Sequence, residues 1–357
     1  MSGTTILGTG RFLPGNPVSS DALGRVMETS GEWILKRSGI AARHFAPDGV
    51  GASDLALPAA RAAIESAELE PSDIDYILFN TMTPDYVLPG SGTLLGAKLG
   101  IPGVPALDLR QQCAAIPYSL QVADALLRAE AARHVLVVGA EAHAGFMPWR
   151  DWSLLEQEPE PGQAPRKADE RAYAMATEHR GVSVLFGDGA GALVLGASRV
   201  VGAGLLGVRV HSDGRAHDAL RVSAGGFRRR PYMSADMLER GEHIPQMNGR
   251  ELFRSAVQRL PEVVRELLAA HAVSLESVDW FIAHQANDRI NQAVREALGV
   301  PPDKIPSNIA RYGNTSSATI PILLDELLRD GRVRRGQLLC FLALGAGLNW
   351  GAALLRL

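Results

Sequence analysis

Short runs of almost purely apolar residues recur along the chain, and they constrain its fold more than any other feature. Each run is three to six residues long and lacks the alternation of a half-exposed strand, so each predicts a strand buried on both faces. The five runs are residues 77–80, 135–139, 192–195, 281–283 and 338–343. A sheet covered by other layers on both sides is therefore expected.

Segments with apolar residues at helical spacing lie between and beside these runs. They are residues 54–68, 114–131, 252–271, 289–298 and 320–329. Alternation of buried strands with amphipathic helices predicts an α/β fold with mainly parallel sheets. The same order of elements occurs once before and once after residue 200, so we predict a duplicated topology with halves 1–200 and 201–357.

The C-terminal stretch 338–355 has two interpretations. Its eighteen residues carry no formal charge, which is near the minimum length for a membrane-spanning helix. However, Gly345, Gly347 and Gly351 interrupt it. Two buried strands joined by a glycine turn are the preferred prediction, and a membrane helix is the alternative.

Two stretches have the composition of long loops. Residues 147–179 are rich in Pro, Glu, Gln and Arg, and we predict a partly helical cover with Trp149, Trp152 and Tyr173 packed inward and its Glu and Pro residues facing water. Residues 215–244 are expected to form a second long surface excursion. For both stretches, plain surface decoration is the alternative.

Charge and cysteine content limit the function classes. The chain of 357 residues has 36 Lys and Arg against 39 Asp and Glu, a balance that argues against nucleic-acid binding as the main task. The two cysteines, Cys113 and Cys340, are far apart and lack metal-ligand spacing. Free thiols of this kind are typical of a reducing compartment. The start of the sequence lacks the pattern of a signal peptide, so a cytoplasmic protein without a membrane segment is expected.

Cys113 follows an extended segment and stands at the predicted start of a helix. A helix N-terminus directs its dipole and free N–H groups at the sulfur, which lowers the pKa of the thiol and favours a nucleophile. The alternative is one of the many small cysteines that are simply buried.

Two further candidates come from the second half of the chain. His284 ends an apolar run, where active sites of α/β proteins collect, although a structural histidine is the more common interpretation of such a residue taken alone. Asn314 follows Gly313 in R-Y-G-N-T-S-S-A, where its amide can donate to an oxyanion or serve only in a turn and helix cap. Gly347 lies in a glycine-rich segment that presents an N–H to such a charge or forms a tight hairpin.

Together these motifs carry a family resemblance. The set C-A-A, H-Q-A-N, G-N-T-S-S-A and G-A-G-L-N-W-G, in this order, resembles β-ketoacyl-[acyl carrier protein] synthase III, a condensing enzyme of the thiolase superfamily. The resemblance runs nearly end to end, since it includes I-L-G-T-G-R-F-L-P at 6–14, E-W-I-L-K-R-S-G-I at 32–40, F-G-D-G-A-G-A at 186–192 and H-S-D-G at 211–214.

The resemblance implies a thiolase fold, in which two halves pack as a five-layered α-β-α-β-α sandwich, and a homodimer. It also implies a reaction. Cys113 takes an acyl group from acyl-coenzyme A, and His284 and Asn314 bind the carbonyl of malonyl-[acyl carrier protein] as carbon dioxide leaves. The enolate then attacks the acyl-cysteine, and the N–H groups of Cys113 and Gly347 hold the oxyanion. Neither a metal nor an organic cofactor is implied.

Substrate contacts follow from the same resemblance. The coenzyme A contacts are Thr29, Trp33, Arg37, Arg180 and the pantetheine contact Asn287, of which Trp33 and Arg180 match a pair that sandwiches adenine. Leu88 replaces a bulky Phe that reaches into the partner's acyl pocket. Arg254 and Arg289 remain from a basic dock for the acyl carrier protein. The alternative interpretation of Trp33 is an aromatic residue of the hydrophobic core.

Departures from the family pattern affect the acyl pocket and the dock. Ala115 replaces a glycine, Pro117 replaces a threonine, and Gln111 and Gln112 replace small residues, so a different starter acyl group is expected. In the dock, two lysines are replaced by Glu296 and Ala297. The alternative functions are acyl transfer to oxygen or nitrogen, forming an ester or amide, and a non-catalytic chain-length partner, which would be expected to lack the cysteine.

Overall fold

The computed structural model describes residues 3–156, 166–198 and 200–357. Their strands are, in chain order, β1 (Thr4–Phe12), β2 (Val18–Ser19), β3 (Ala42–Arg43), β4 (Tyr76–Asn80), β5 (Ala106–Leu109), β6 (His134–Glu141), β7 (Gly189–Ala197), β8 (Gly204–Ser212), β9 (Leu220–Arg221), β10 (Gln246–Met247), β11 (Trp280–Ala283), β12 (Leu338–Gly345) and β13 (Asn349–Arg356). All five predicted strands are confirmed, and each strand is longer than the apolar run that predicted it.

The helices of the described residues are α1 (Gly31–Ser38), α2 (Ala52–Ser66), α3 (Ser91–Lys98), α4 (Ala115–Arg128), α5 (Ser153–Glu156), α6 (Glu170–Glu178), α7 (Arg180–Ser183), α8 (Ala235–Glu239), α9 (Gly249–Ala270), α10 (Asp288–Leu298), α11 (Ile309–Tyr312) and α12 (Thr319–Arg329). The five helices expected from apolar spacing are α2, α4, α9, α10 and α12. No helix within these residues is long and apolar enough to cross a membrane.

Two large sheets repeat one topology. The first has the order β1-β7-β6-β4-β5 and the second the order β8-β13-β12-β11. The strands that run against their neighbours are β7 in the first sheet and β13 in the second. In chain order, the last strand of the first sheet ends at Ala197, and the first strand of the second sheet begins at Gly204. The duplicated topology expected from the order of elements is therefore present over four strands of each sheet, and β5 has no counterpart among the described strands of the second.

The expectation of mainly parallel sheets was wrong. β4 pairs in parallel with β5 and β6, and β11 with β12, whereas all pairings of β7 and β13 are antiparallel. An apolar run reports burial on both faces but not strand direction, and here a reversed strand lies inside each covered sheet. The C-terminal stretch forms the predicted hairpin, with β12 and β13 antiparallel.

The layers are held together by three apolar clusters. α4 and α12 lie between the sheets, where Leu120 and Leu323 pack with Val137 of the first sheet and Phe341 of the second. α2 and α3 cover the outer face of the first sheet, and α9 and α10 cover the outer face of the second. The result is the five-layered α-β-α-β-α sandwich, and the carboxyl ends of β4, β6 and β11 meet near the start of the central helix α4.

Candidate active site

Cys113 lies in a 3₁₀ turn, Gln112–Ala114, that leads directly into α4. The side chain is 7% exposed, and its Sγ lies 3.4 Å from the Ser316 Oγ. Gly345 of β12 packs against the backbone of the same turn, because a Cβ at Gly345 would lie 3.0 Å from the Cys113 nitrogen. The predicted position at a helix start is therefore correct.

The predicted lowering of the thiol pKa is not what the structure gives. Burial raises the pKa of Cys113 to about 12, the negative charge of Glu141 raises it further, and the hydrogen bond with Ser316 lowers it. Desolvation disfavours the thiolate more strongly than the local donor favours it. Burial at this position therefore favours the thiol over the thiolate.

His284 follows β11 and is buried, with 5% of its surface exposed. Its Nδ1 lies 2.7 Å from the Thr319 Oγ1, whereas its Nε2 is buried without a partner among the described residues. Burial lowers the pKa of His284 to about 3. The ring is consequently neutral at physiological pH and presents one free nitrogen for a ligand.

Asn314 is held by its backbone and by its side-chain oxygen. Its N–H donates to the carbonyl oxygen of Leu185 at 2.9 Å, and its Oδ1 accepts from the N–H of Ser316 at 2.8 Å. Gly313 has a φ of +64°, and a Cβ there would lie 3.0 Å from the Leu185 oxygen, so this turn requires glycine. Because the side-chain oxygen is occupied, the amide NH2 group is the part left to meet a ligand.

Ser316 joins the three predicted catalytic residues. Its hydroxyl contacts the Cys113 Sγ, its N–H donates to Asn314, and its carbonyl oxygen accepts from the Thr319 hydroxyl that also contacts His284. Ser316 is fully buried and has a φ of +48°, unusual for a residue other than glycine. Sequence reasoning missed Ser316 and Thr319 because a Ser-Ser-Ala-Thr run after a turn looks like an ordinary helix start.

Gly347 lies in the turn between β12 and β13 and has a φ of +139°. A Cβ at this position would lie 2.4 Å from the Asn349 Nδ2, so only glycine fits. The neighbouring Ala346 carbonyl accepts from Asn349 Nδ2 at 2.6 Å. The role of the Gly347 N–H toward an oxyanion stays a prediction.

The predicted coenzyme A contacts lie together on one side of the molecule. The guanidinium carbons of Arg37 and Arg180 lie 4.5 and 5.1 Å from the centre of the Trp33 ring. Asn287 donates to the carbonyl oxygen of Arg37 at 3.2 Å, and the hydroxyl of Thr29 is buried without a partner among the described residues. Trp33 is half-buried and packs at the margin of an apolar cluster rather than inside it.

The remaining predicted residues lie on the surface. Leu88 is 78% exposed, beside the exposed Tyr86 and Val87, so within one chain it lines no pocket around Cys113. Arg254 of α9 and Arg289 of α10 are exposed on the outer helical layer. Their proposed roles in the acyl pocket and in carrier docking depend on a second molecule and stay predictions.

The predicted cover at 147–179 is partly helical, since it contains α5 and α6. Trp149 is 2% exposed and Trp152 is half-buried, and both pack edge-on against Phe45. Tyr173 is half-buried and meets Lys167 instead of the apolar cluster, so its inward packing was wrong. The Glu and Pro residues expected to face water fall mainly on 157–165, outside the described residues.

The second predicted excursion, 215–244, is largely exposed and includes α8 and the exposed, stacked pair Phe227 and Tyr232. It approaches the first excursion, because a Cβ at Gly241 would lie 2.6 Å from the His179 Nε2. His179 immediately precedes Arg180, so both excursions meet beside the predicted coenzyme A contacts. Within the described parts of the chain, no group of His, Cys, Asp and Glu residues is arranged to hold a metal ion.

Comparison with known proteins places this site in a family. Residues 107–156 and 167–214 match the sequence profile described as 3-oxoacyl-[acyl-carrier-protein] synthase III, and residues 268–357 match the profile of its C-terminal part. The chain belongs to the 3-oxoacyl-[acyl-carrier-protein] synthase III family. The two profiles cover the segments that carry Cys113, His284 and Asn314.

Relatives extend the match over the whole chain. The β-ketoacyl-[acyl-carrier-protein] synthase III of Rhodospirillum rubrum is 40% identical, with 99% of each chain covered, and that of Thiobacillus denitrificans is 38% identical, with 100% of each covered. The crystal structure of the Aquifex aeolicus synthase III, 35% identical, superposes with a TM-score of 0.82 over 99% of this chain and 100% of that one. The priming β-ketosynthase of the R1128 polyketide pathway, 29% identical, gives a TM-score of 0.84 over 100% and 96%.

These comparisons confirm the family and the thiolase fold expected from the sequence motifs.

Proposed function

We propose that this synthase III family member transfers an acyl group from acyl-coenzyme A to Cys113 and then condenses it with malonyl-[acyl carrier protein], in fatty-acid or secondary-metabolite biosynthesis. The observation that carries this proposal is the convergence of Cys113, Asn314 and, through Thr319, His284 on one buried residue, Ser316. The relatives named above supply the reaction class.

In the first half-reaction, Cys113 Sγ attacks the thioester carbonyl of acyl-coenzyme A. The attack forms the new C–S bond and a tetrahedral intermediate, and the collapse of this intermediate breaks the bond to the coenzyme A sulfur. The thiol proton goes to the departing thiolate. The N–H groups of Cys113 and Gly347 would hold the oxyanion of the tetrahedral intermediate. Because burial raises the pKa of the free thiol, bound substrate and the helix start have to favour the developing charge.

In the second half-reaction, the malonyl carboxylate leaves as carbon dioxide and its electron pair forms an enolate on the thioester. The amide of Asn314 and the Nε2 of His284 donate to the enolate oxygen. Donation from Nε2 requires the tautomer in which Nδ1 accepts from the Thr319 hydroxyl, 2.7 Å away. That hydroxyl then has to turn its proton from the Ser316 carbonyl oxygen, 3.1 Å away, to the ring. The enolate carbon then attacks the acyl-cysteine, and the Cys113 thiolate leaves and takes up a proton from water. A neutral pair of donors stabilises the enolate without a metal, and no cofactor is needed.

Coenzyme A would bind at Trp33. Adenine stacked between Trp33 and Arg180 needs about 7 Å between them, twice an ordinary carbon contact distance, whereas the guanidinium lies 5.1 Å from the ring centre. Arg180 therefore has to move outward when the nucleotide enters. Its present hydrogen bond to the Glu28 carbonyl oxygen, 2.6 Å long, would be exchanged for ligand contacts.

A homodimer is the proposed assembly. β5 is an edge strand of the first sheet and exposes Leu107, and the nearby loop exposes Tyr86, Val87 and Leu88. An uncovered edge strand beside apolar side chains favours pairing with a second copy. Leu88 would then reach the partner's acyl pocket.

The acyl carrier protein is proposed to contact Arg254 and Arg289, which are exposed on neighbouring outer helices. We propose a cytoplasmic location because Cys113 and Cys340 are both free. Ester or amide formation is not favoured, since the arrangement retains both His284 and Asn314, which that reaction does not need.

Mass spectrometry of the intact protein, incubated with a panel of acyl-coenzyme A thioesters, tests the first half-reaction. One or more donors should add acyl mass to Cys113, and added malonyl-[acyl carrier protein] should remove it with release of carbon dioxide. A protein that stays unacylated by the whole panel, or that keeps its acyl group with the malonyl partner present, would overturn the proposal.

A further inference from the structure

Glu141 is a fully buried carboxylate at the carboxyl end of β6. Its Oε2 accepts from the Thr83 hydroxyl at 2.7 Å, the Met82 N–H at 3.0 Å and the Thr81 hydroxyl at 3.2 Å. Its Oε1 accepts from the Ser317 hydroxyl at 2.7 Å and faces the Ser317 N–H at 3.4 Å. No lysine, arginine or histidine side chain of the described residues donates to Glu141. The buried His143 lies within its field, since burial lowers the pKa of His143 but the hydrogen bond with Asp188 and the charge of Glu141 raise it. Hydrogen bonds and this imidazole together compensate for the lost hydration of the carboxylate.

The two oxygens of Glu141 serve different parts of the fold. Oε2 binds residues that follow β4, in the first half of the chain, whereas Oε1 binds Ser317, in the turn of the second half that also contains Asn314 and Ser316. The turn lies directly on β6, because a Cβ at Gly139 would lie 2.3 Å from the Ser317 carbonyl oxygen. Glu141 thus connects the two halves immediately behind the nucleophile.

We propose that Glu141 is a positioning residue that holds the turn carrying Asn314 and Ser316 against the carboxyl ends of β4 and β6. The role deepens the proposed function and rests on it. Ser317 is the next residue after Ser316, which contacts Cys113 and orients the Asn314 amide. A shift of this turn would therefore move the enolate donor relative to the sulfur.

The charge of Glu141 has a second, opposite consequence. It raises the pKa of the Cys113 thiol, whereas His284 is uncharged because burial lowers its pKa to about 3. Glu141 therefore supports the second half-reaction by geometry and disfavours the free thiolate by charge. Loss of the charge should move the two properties in opposite directions, which a general loss of stability cannot do.

The test compares Glu141→Gln, Glu141→Asp and wild type in three assays: the pH profile of Cys113 alkylation by iodoacetamide, acylation by acyl-coenzyme A, and carbon dioxide release from malonyl-[acyl carrier protein]. Glu141→Gln should shift the alkylation profile down by about one pH unit, near tenfold faster at a fixed pH, since a removed like charge shifts a pKa by that order. Its decarboxylation should fall about 10- to 100-fold, as expected for a misplaced donor.

Glu141→Asp separates charge from reach. The shorter side chain keeps the charge, so alkylation should remain within about twofold of wild type, whereas decarboxylation should fall as in Glu141→Gln because Ser317 is no longer reached. Asp325→Asn is the matched control, since Asp325 is also fully buried and accepts from Thr9 and Arg329 on the far side of α12. Asp325→Asn should lower thermal stability, and it should change the rates of acylation and of carbon dioxide release by the same factor.

Equal changes in alkylation and decarboxylation in Glu141→Gln, or no change in either, would overturn the positioning role. A wild-type protein that fails to acylate or to release carbon dioxide would instead contradict the proposed function, and the alkylation assay does not depend on that function. The two failures are thus distinguishable.

Discussion

The two cysteines of this chain are similarly buried, but the groups that surround their sulfur atoms differ. Cys113 is 7% exposed at the start of α4, and Cys340 is 0% exposed in the middle of β12. Burial raises the pKa of each thiol to about 12. Neither burial nor acidity therefore distinguishes the proposed nucleophile from the structural thiol.

The difference lies in the groups that face each sulfur. Cys113 meets the Ser316 hydroxyl at 3.4 Å and lies within the field of Glu141, whereas Cys340 packs in an apolar cluster with Val264 and Leu354. Ser316, the hydrogen-bond partner of Cys113, comes from a turn about 200 residues away in sequence. Reactivity at this site is thus a property of the packing between the halves.

The largest expected effect comes from removing each sulfur in turn. Cys113→Ala should abolish acyl-enzyme formation and leave the fold intact, because the lost side chain is small. Cys340→Ala should acylate like wild type and lose about 1 kcal/mol of stability, as for an ordinary core substitution. Intact-mass spectrometry and thermal unfolding measure both. Acyl mass on Cys113→Ala, or none on Cys340→Ala, would contradict the comparison.

The next effect concerns the polar groups around Cys113 that Cys340 lacks. His284→Ala and Asn314→Ala should still be acylated but should release carbon dioxide from the malonyl partner about 100- to 1,000-fold more slowly, since each loses an oxyanion donor. The double variant should lose less than the product of the two. Wild-type decarboxylation in either single variant would exclude the donor role.

Ser316→Ala should have a smaller effect on the sulfur itself. The Ser316 hydrogen bond lowers the pKa of Cys113, so its loss raises that pKa and reduces the thiolate fraction at any fixed pH. One hydrogen bond of ordinary strength corresponds to about 3- to 10-fold slower alkylation at pH 8. Thr5→Val, which removes a buried hydroxyl far from the sulfur, is the control and should alkylate at the wild-type rate. Faster alkylation of Ser316→Ala would reverse the sign of this argument.

Trp33→Ala should leave the reactivity of both cysteines unchanged and weaken only the binding of acyl-coenzyme A. Loss of the aromatic face between Arg37 and Arg180 removes a stacking and cation contact, so the KM for acyl-coenzyme A should rise about 2- to 5-fold. Alkylation of Cys113 by iodoacetamide, measured in parallel, should not change. An unaltered KM would show that Trp33 serves only the adjoining apolar cluster.

Much of the fold followed from local pattern. Strands such as β4 and β6 and helices such as α9 were predicted because apolar spacing reports which faces are buried. Strand direction was not, since the reversal of β7 inside the first sheet leaves the apolar run unchanged. Trp149 was correctly expected to pack inward, but Tyr173 was not, because its hydroxyl and the neighbouring Lys167 allow a half-exposed position.

The candidate site shows the same division. Cys113, His284 and Asn314 were predicted from their motifs. The structure joins Cys113 and Asn314 to Ser316 directly and His284 to Ser316 through Thr319, and their catalytic roles stay predictions. Glu141, Thr319 and Ser316 itself were missed, because a carboxylate at a strand end and hydroxyls after a turn are common in exposed loops. Their importance depends on burial and on partners far away in sequence.

The sequence by itself determined the family, the layers and the three catalytic candidates, because motifs and apolar spacing are local properties that survive without coordinates. Only the tertiary structure decided the protonation state of those candidates. Desolvation of Cys113 opposes the helix dipole and raises its pKa, and the neutrality of His284 comes from burial. Glu141 acquires its partners when β4, β6 and the Asn314 turn meet. Solvent exclusion and long-range contacts depend on the whole packed chain, and no local pattern contains them.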